Sequence, residues 1–234
     1  MTLLRQPAGD TPPLRCCLLS GGASRRMGQD KALLPHPEGG TWLERSLTLL
    51  AQLERPITLL SRHPGHLELA QNLNLGATAT GSGRPGPISA IAEPAPWEGP
   101  LLALHRLMLL HPDQRLLLCP VDMPELSLAV LGQLVAAAAL EPEGLHLAHD
   151  GLRLQPLLGV YPSSIALRQD LTNRIDAGER RLQSWLGAHP FHPVPLDPRA
   201  LRNVNRPADI RPDFNGPDGD RPNSNGPNRD QPNP

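Results

Sequence analysis

In Arg15-Cys16-Cys17-Leu18-Leu19-Ser20-Gly21-Gly22, an apolar run of strand length leads directly into two glycines. A short apolar run that stops at glycine is typical of a buried strand that feeds a loop. Further apolar runs follow at residues 57–60, 116–119 and 157–161, and segments of helix length separate them. We therefore predict an α/β fold: a single three-layer α/β/α domain of Rossmann-like type with a mainly parallel sheet and right-handed crossovers.

Helix signals lie between these runs. Thr41 and Glu44 form the pattern of a capping box, and leucines at helical spacing follow it. Ser127 is placed to cap a helix that continues through an alanine-rich stretch to Leu140. The leucine-rich run at residues 101–110 predicts a core helix.

The length of 234 residues suffices for one α/β domain with a full core. The chain has only 3 Trp, 2 Phe and 1 Tyr, so Leu, Val, Ile and Ala must form that core. We expect an N-terminal extension at residues 1–13, the domain at 14–210 and a Pro/Asn-rich tail at 211–234. Prolines recur every fifth residue from Pro212 to Pro232. Such a tail buries too little apolar surface to fold, so we predict that it is disordered.

Composition excludes several classes of partner. The formal net charge of −1 gives no global attraction for nucleic acid or an anionic membrane. The N-terminus lacks the apolar segment of a signal peptide, and no stretch approaches about 18 uninterrupted apolar residues. Cys16, Cys17 and Cys119 have no C-x-x-C spacing, and we interpret them as small core residues in a reducing compartment. We therefore expect a cytoplasmic protein with no nucleic acid or membrane partner.

Cationic residues follow the two glycines of the first loop. Glycines let backbone N–H groups approach phosphate oxygens closely, and Arg26 and Lys31 would neutralise the charge of a triphosphate. The loop matches neither the P-loop pattern nor G-x-G-x-x-G, so a GTPase and a dehydrogenase are not supported. A glycine turn beside a solvated basic stretch is the alternative at this point.

A second motif is Leu118-Cys119-Pro120-Val121-Asp122-Met123-Pro124. Its single carboxylate comes directly after a predicted buried strand, and ligand sites of parallel sheets lie at the carboxyl ends of the strands. A carboxylate that faces a phosphate loop is where Mg²⁺ would be held. The alternative is an aspartate in an ordinary turn, but the two motifs together favour a Mg²⁺ site at Asp122.

The glycine loop through Lys31, followed by Pro-x-Asp-Met-Pro, resembles the nucleotidyltransferases of the molybdenum cofactor guanylyltransferase group. The resemblance extends over residues 15 to about 210. Further matching blocks are Arg62-His63, Pro85-Gly86-Pro87-Ile88, His149-Asp150-Gly151, Ala177-Gly178-Glu179-Arg180-Arg181 and Asn203-Val204-Asn205.

This resemblance implies a nucleotidyltransferase fold and a Mg²⁺-dependent enzyme that transfers GMP from GTP to molybdenum-carrying molybdopterin and releases pyrophosphate. It also implies transient contacts with cofactor-insertion proteins or molybdoenzyme chaperones. Three alternatives stay open: a cytidylyltransferase for the same pterin, a sugar-phosphate nucleotidyltransferase, and a non-catalytic nucleotide-binding protein that delivers a cofactor.

The resemblance also implies roles for individual residues. Main-chain groups of the loop would hold the guanine and sugar side of GTP, and a second glycine in this loop goes with guanine. Arg26 and Lys31 would contact the phosphates, and Asp122 would hold Mg²⁺. The implied nucleotide-binding residues of the loop are Leu19, Ser20, Gly21 and Gly22, and the implied acceptor-binding residues are Arg180, Arg181, Asn203 and Asn205.

Two positions depart from the family's pattern. Members often carry an Asn near the end of the second strand, where this chain has Leu59-Leu60-Ser61, and an Asp upstream of a Gly-Pro step, where this chain has Ala79-Thr80.

His63 and His66 are three residues apart with a proline between them, as are His189 and His192. Because proline argues against a regular helix there, we predict surface loop histidines rather than a metal pair.

Overall fold

The computed structural model describes residues 11–22, 27–76 and 86–210, and strands alternate with helices along this part of the chain. The strands are β1 Leu14–Leu19, β2 Ile57–Ser61, β3 Ile88–Ala92, β4 Arg115–Pro120, β5 Leu145–His149, β6 Leu154–Pro162 and β7 Phe191–Pro195. The helices are α1 Trp42–Ala51, α2 Pro64–Gly76, α3 Pro100–Leu110, α4 Leu128–Leu140, α5 Ile165–Asp176 and α6 Leu182–Leu186. Short 3₁₀ helices cover Lys31–Leu33 and Pro207–Asp209.

The strands form a sheet in the order β3-β2-β1-β4-β6-β5-β7. β1 pairs in parallel with β2 and β4, β2 with β3, and β5 with β7, whereas β6 is antiparallel to both of its neighbours. Among the described strands β6 alone is therefore reversed, and the predicted mainly parallel sheet is confirmed. Leu19 pairs with Pro120, so the glycine loop after β1 and the Asp122 segment after β4 leave the sheet side by side.

Apolar side chains cover both faces of this sheet. On one face the core includes Leu43 and Leu47 of α1, Ala70 of α2 and Leu131 of α4. On the other face it includes residues of α3, α5 and α6, with Trp185 of α6 fully buried. Helices thus lie on both sides of the sheet, which confirms the three-layer α/β/α prediction.

The helix starts follow the local sequence signals. At α1, Thr41 Oγ1 accepts a hydrogen bond from Glu44 N at 3.2 Å, and Glu44 Oε2 accepts one from Thr41 N at 2.6 Å. This reciprocal pair is the predicted capping box. Ser127 Oγ accepts from Val130 N at 3.4 Å at the start of α4, as predicted.

The cysteines are core residues, as predicted. Cys16, Cys17 and Cys119 are free and buried in the strands β1 and β4. Burial raises the pKa of Cys16 to about 12 and raises the pKa values of the other two thiols as well. The thiols therefore stay protonated at neutral pH and act as small apolar groups.

The described residues do not test the predicted domain limits. The N-terminal extension is described only from Thr11 onward, and the tail at 211–234 lies outside the described residues. Both limits stay predictions. None of the helices in the described part of the chain has the length and apolar character needed to span a bilayer.

Gly86 lies where the chain approaches β3, and it touches the backbone that enters β2. A Cβ at this position would lie 1.9 Å from the carbonyl oxygen of Arg55 and 2.9 Å from the nitrogen of Pro56. No side-chain rotation relieves a clash with backbone. We expect Gly86→Ala to lower the free energy of unfolding by about 3 kcal/mol in urea or thermal denaturation.

Gly132 of α4 provides the matched control for Gly86. A Cβ there meets no atom within 4 Å, and alanine favours the interior of a helix. Gly132→Ala should therefore raise the free energy of unfolding by up to about 1 kcal/mol. Similar small changes for both variants would contradict the argument for Gly86.

Candidate active site

A pocket of about 350 Å³ opens at the carboxyl ends of the parallel strands. This is the edge at which sheets of this kind bind ligands, and the volume lies within the usual range for small-molecule sites. Gly21, Gly22 and Lys31 form its β1 side, and Asp122 forms its β4 side. Of the predicted nucleotide and metal residues, Leu19, Gly21, Gly22, Lys31 and Asp122 line this cavity, whereas Ser20 does not.

Lys31 lies at the centre of a small polar cluster. It is the only lysine in the 234 residues. Its Nζ donates to Asp122 Oδ2 at 2.8 Å and to Asn205 Oδ1 at 3.0 Å. The residue before Asn205 is attached to the segment that follows β4, because Val204 N donates to the carbonyl of Asp122 at 2.9 Å. The structure thus brings together a phosphate-side, a metal-side and an acceptor-side residue of the sequence prediction.

One oxygen of the Asp122 carboxylate has no hydrogen-bond partner among the described residues. Its Oδ1 is buried and has no hydrogen-bond partner among the described residues, whereas Oδ2 is paired with Lys31. A buried carboxylate oxygen without a partner is costly, and a bound cation would satisfy it. In the described ranges, no group of three or more His, Cys, Asp or Glu side chains surrounds a possible ion. A single carboxylate suits Mg²⁺, which keeps water ligands and takes phosphate oxygens from its substrate.

The two loop glycines have different surroundings. A Cβ on Gly21 would lie 2.8 Å from Glu93 Oε2, so this glycine lets the Glu93 carboxylate approach the loop. A Cβ on Gly22 would meet nothing within 4 Å. A Cβ at Gly22 would therefore point into space that no atom of the described residues occupies.

Glu93 is a site residue that the sequence prediction missed. It follows β3, its largely buried carboxylate accepts from Arg106 Nη1 at 2.7 Å, and its side chain lines the pocket. The sequence prediction placed the expected acid at Ala79-Thr80, which lie outside the described residues. Glu93 precedes a different Gly-Pro pair, Gly99-Pro100, which opens α3. That second pair, directly before a leucine-rich helix, was the signal that could have located it.

Trp97 forms an outer wall of the pocket. The residue is 52% exposed, and its Nε1 donates to the carbonyl of Glu93 at 2.9 Å. The Arg62 guanidinium carbon lies 5.2 Å from the ring centroid, within the range of a cation–π contact. The other two tryptophans, Trp42 and Trp185, are buried. Trp97 is thus the fluorophore that reports on this pocket.

The predicted acceptor residues other than Asn205 occupy three positions. Arg180 donates to the Glu98 carboxylate, next to the pocket wall at Gly99, and to the carbonyl of Ile175 at 2.8 Å. Arg181 is exposed at the start of α6. Asn203 Nδ2 donates to Gln155 Oε1 at 2.9 Å. Arg26, predicted to contact phosphate, lies outside the described residues.

The prediction of surface loop histidines is wrong for His66. Pro64 is the first residue of α2, a position that tolerates proline because its N–H would have no helical partner. His66 therefore lies in the first turn of a helix, and it is 1% exposed. Its ring contacts Ser20, the loop residue that precedes the pocket glycines.

Residues 16–194 match the family model described as the MobA-like NTP transferase domain. A Rhodopirellula baltica protein named "Probable molybdenum cofactor guanylyltransferase" is 34% identical over 220 residues, which cover 91% of this chain and 97% of the relative. A Mycobacterium tuberculosis protein of the same name is 33% identical over 213 residues, with 87% and 94% covered.

Solved structures share the fold. Molybdopterin-guanine dinucleotide biosynthesis protein A from Archaeoglobus fulgidus has a TM-score of 0.60 at 17% identity, covering 83% of this chain and 94% of its own. The 2-C-methyl-D-erythritol 4-phosphate cytidylyltransferase from Thermus thermophilus has a TM-score of 0.55 at 15% identity, covering 82% and 93%. At these identities the likeness establishes the nucleotidyltransferase fold and nothing finer.

Proposed function

This chain belongs to the MobA-like NTP transferases, and from that premise we propose that it transfers GMP from GTP to molybdenum-carrying molybdopterin and releases pyrophosphate. The observation that carries the proposal is the Lys31–Asp122 pair beside the glycine loop, in one pocket with room for a ligand. The names of the curated relatives favour the guanine reaction over the cytidine and sugar-phosphate alternatives. A non-catalytic delivery protein would have little need of a lysine and a metal-binding carboxylate in contact.

The glycine loop and Lys31 are proposed to hold the nucleotide. Main-chain groups of Leu19 to Gly22 would bind the base and sugar side, and Lys31 would contact the phosphates together with Arg26. What supports the role of Lys31 is that Asp122 and Asn205 hold its ammonium group at the pocket wall. A cation fixed before the substrate arrives stabilises developing charge without reorganisation.

Asp122 is proposed to hold Mg²⁺, and its buried Oδ1 without a partner among the described residues supports this role. When bound, Mg²⁺ offsets the charge of the triphosphate and of the departing pyrophosphate. Lys31 keeps the other oxygen of Asp122 in place. Mg²⁺ and the Lys31 ammonium group would together neutralise the negative charge of the phosphates.

The acceptor side is proposed to lie around Asn205, with Asn203, Arg180 and Arg181 farther out. An oxygen of the acceptor's terminal phosphate attacks the α-phosphorus of GTP, and the bond to pyrophosphate breaks without a covalent enzyme intermediate. The protein contributes position and charge rather than a nucleophile. Because the molybdenum-carrying pterin is labile, we also propose that cofactor-insertion proteins or molybdoenzyme chaperones contact the chain transiently.

Glu93 is proposed to select guanine. A carboxylate only accepts hydrogen bonds, and the Watson–Crick edge of guanine presents two N–H donors. Arg106 occupies Oε1 of Glu93, and Oε2 faces the loop at Gly21. Adenine and cytosine present a ring-nitrogen acceptor at the corresponding edge, which a carboxylate repels.

The proposed function is tested by pyrophosphate release with purified molybdenum-carrying molybdopterin, Mg²⁺ and GTP, ATP or CTP. The wild-type chain should release pyrophosphate with GTP in preference to the other two. Glu93→Gln should lower kcat/KM for GTP by about 10- to 100-fold, because it removes a charged hydrogen-bond acceptor. The same assay should find little change with ATP and CTP, so that the preference for GTP narrows.

Glu141→Gln is the matched control, since this carboxylate pairs with His192 on the exposed surface. It should leave all three rates unchanged. Release with CTP or ATP in place of GTP would contradict the guanine assignment. Absence of release with all three nucleotides would contradict the assignment of the acceptor.

A further inference from the structure

A buried histidine joins three segments beneath the pocket. His66 Nδ1 lies 2.8 Å from Ser20 Oγ and 3.0 Å from Ser61 Oγ, and its Nε2 lies 2.8 Å from Asp30 Oδ2. Ser20 follows β1, Ser61 ends β2, and Asp30 immediately precedes Lys31. The function proposed above uses the loop and Lys31 but gives no role to the ring that contacts Ser20 of the loop and Asp30, the residue before Lys31.

The partners of the ring decide how its hydrogen bonds are directed. A carboxylate only accepts, so Nε2 carries a hydrogen and donates it to Asp30. At Nδ1 the hydroxyls of Ser20 and Ser61 both lie within hydrogen-bond distance, and Ser61 Oγ also lies 3.4 Å from the carbonyl oxygen of Ser20. Both ring nitrogens therefore have partners, and the ring has one fixed orientation.

Serine, histidine and aspartate in contact also occur in hydrolase triads, but this arrangement differs in two respects. In a hydrolase the serine contacts Nε2 and the acid contacts Nδ1, whereas here the two nitrogens are exchanged. Ser20 is only 3% exposed, so its hydroxyl is not available to a substrate. The three residues fix each other's positions and do not form a nucleophile.

Asp30 connects the ring to Lys31. Its second oxygen, Oδ1, accepts from Ala32 N at 3.0 Å and caps the 3₁₀ helix that begins with Lys31. His66 thus holds the residue that orients this helix, and the helix directs Lys31 Nζ toward Asp122. On the other side, the ring holds Ser20, whose neighbour Gly21 lines the pocket.

We propose that His66 is a positioning residue for nucleotidyl transfer. Through Asp30 it fixes the ammonium group of Lys31, and through Ser20 it fixes the start of the glycine loop, so that both meet the same triphosphate. This inference rests on the function proposed above. His66 itself is buried and contacts neither substrate.

Three substitutions of His66 separate positioning from packing. The amide of glutamine reaches about as far as Nε2, the amide of asparagine about as far as Nδ1, and leucine has no polar atom. We expect His66→Leu to lower kcat by about 30- to 100-fold and to weaken GTP binding severalfold, because a small displacement of a catalytic group is costly. Glutamine should restore more activity than asparagine, since it can keep the bond to Asp30. A pure packing role predicts instead that leucine is tolerated best.

The binding measurement uses two probes, GTP and guanosine, by quenching of Trp97 fluorescence or by calorimetry. Guanosine lacks the phosphates that Lys31 would contact but still uses the glycine loop, so the His66 variants should lose more affinity for GTP than for guanosine. His105→Asn is the matched control, since His105 joins α3 to α5 through Thr172 Oγ1 at 2.8 Å. That variant should lose thermal stability without losing kcat or GTP affinity.

Asp30→Asn provides a second test if His66→Leu does not fold. The Asp30 side chain is 30% exposed, and the asparagine that replaces it retains an oxygen for the helix cap. If His66 acts through Asp30, the loss in the Asp30→Asn/His66→Asn double variant should be close to the larger single loss, because asparagine at position 66 no longer reaches Asp30. Losses that multiply, or a folded His66→Leu with wild-type kcat and GTP affinity, would overturn the proposal. A wild-type chain that releases no pyrophosphate would count against the proposed function alone. The comparison of triphosphate with nucleoside, made with whichever base the wild type binds, would still decide the role of His66.

Discussion

Asp122→Asn should reduce the kcat of pyrophosphate release on the order of 1,000-fold, the effect expected when a group that stabilises transition-state charge is lost. Asparagine preserves the size of the side chain, so the surrounding packing should survive. It removes the charge that Lys31 pairs with and that a cation at Oδ1 would neutralise. The measurement is kcat as a function of Mg²⁺ concentration, with circular dichroism to verify the fold.

The Mg²⁺ titration distinguishes a metal ligand from a general electrostatic role. If Asp122 is a metal ligand, the variant should need a much higher Mg²⁺ concentration to reach its reduced maximal kcat. Removal of Mg²⁺ by a chelator should abolish the activity of the wild type. Asp113→Asn is the control, since the Asp113 side chain is 78% exposed and pairs with Arg168 at the surface. Its positive φ of 58° suits asparagine as well as aspartate, so the control introduces no backbone strain. Near-normal turnover in Asp122→Asn would refute the assignment.

Lys31→Ala should cost about 2–4 kcal/mol of transition-state stabilisation, which corresponds to a loss of kcat/KM for GTP of about 30- to 1,000-fold. The reason is that alanine removes a preorganised hydrogen-bond donor beside the glycine loop. The side chains of Asp122 and Asn205, which accept hydrogen bonds from Lys31, remain in place. The measurement is steady-state kinetics with GTP and acceptor varied in turn. We expect the KM of the acceptor to stay nearly constant.

Lys31→Arg tests whether charge alone suffices. The chain uses arginine for its 21 other cationic side chains, so a single lysine at this position indicates a need for a compact ammonium group. The arginine variant should therefore recover only part of the activity. Arg174→Ala, on the surface of α5, is the control for removing a cation. If only the apparent affinity for the acceptor changed in Lys31→Ala, Lys31 would belong to the acceptor side of the pocket.

Local signals predicted most of the central sheet and its helix starts. The strongly apolar runs lie in β1, β2, β4 and β6, and the caps at Thr41 and Ser127 need only neighbouring residues. Three strands were missed because their sequences are weak strand patterns. β3 is half-exposed and contains small residues, β5 interleaves leucine with histidine, and β7 contains two prolines, which an edge strand tolerates.

The same distinction between local and long-range information applies to the residues of the candidate site. Lys31 and Asp122 belong to compact motifs, so their residue types and spacing were enough to predict them. Glu93 and His66 act through contacts between distant parts of the chain. His66 is 46 residues from Ser20 and 36 from Asp30, and no periodicity in the sequence relates them. Pro64 led to the incorrect prediction that His66 lies in a surface loop. The sequence did not show that a helix begins at that proline.

The reversal of β6 has a consequence for how such a protein can change over time. With β6 alone reversed among the described strands, the segments on both sides of β4 end at the same edge. The β1–β3 side supplies the glycine loop and Glu93, and the chain after β7 returns with Asn205. In the function proposed above, the β1–β3 half of the sheet would hold the nucleotide, Asn205 would belong to the acceptor side, and Asp122 lies between them. Substitutions in the chain beyond β4 would then change which acceptor is bound and leave the nucleotide-binding half of the sheet unchanged.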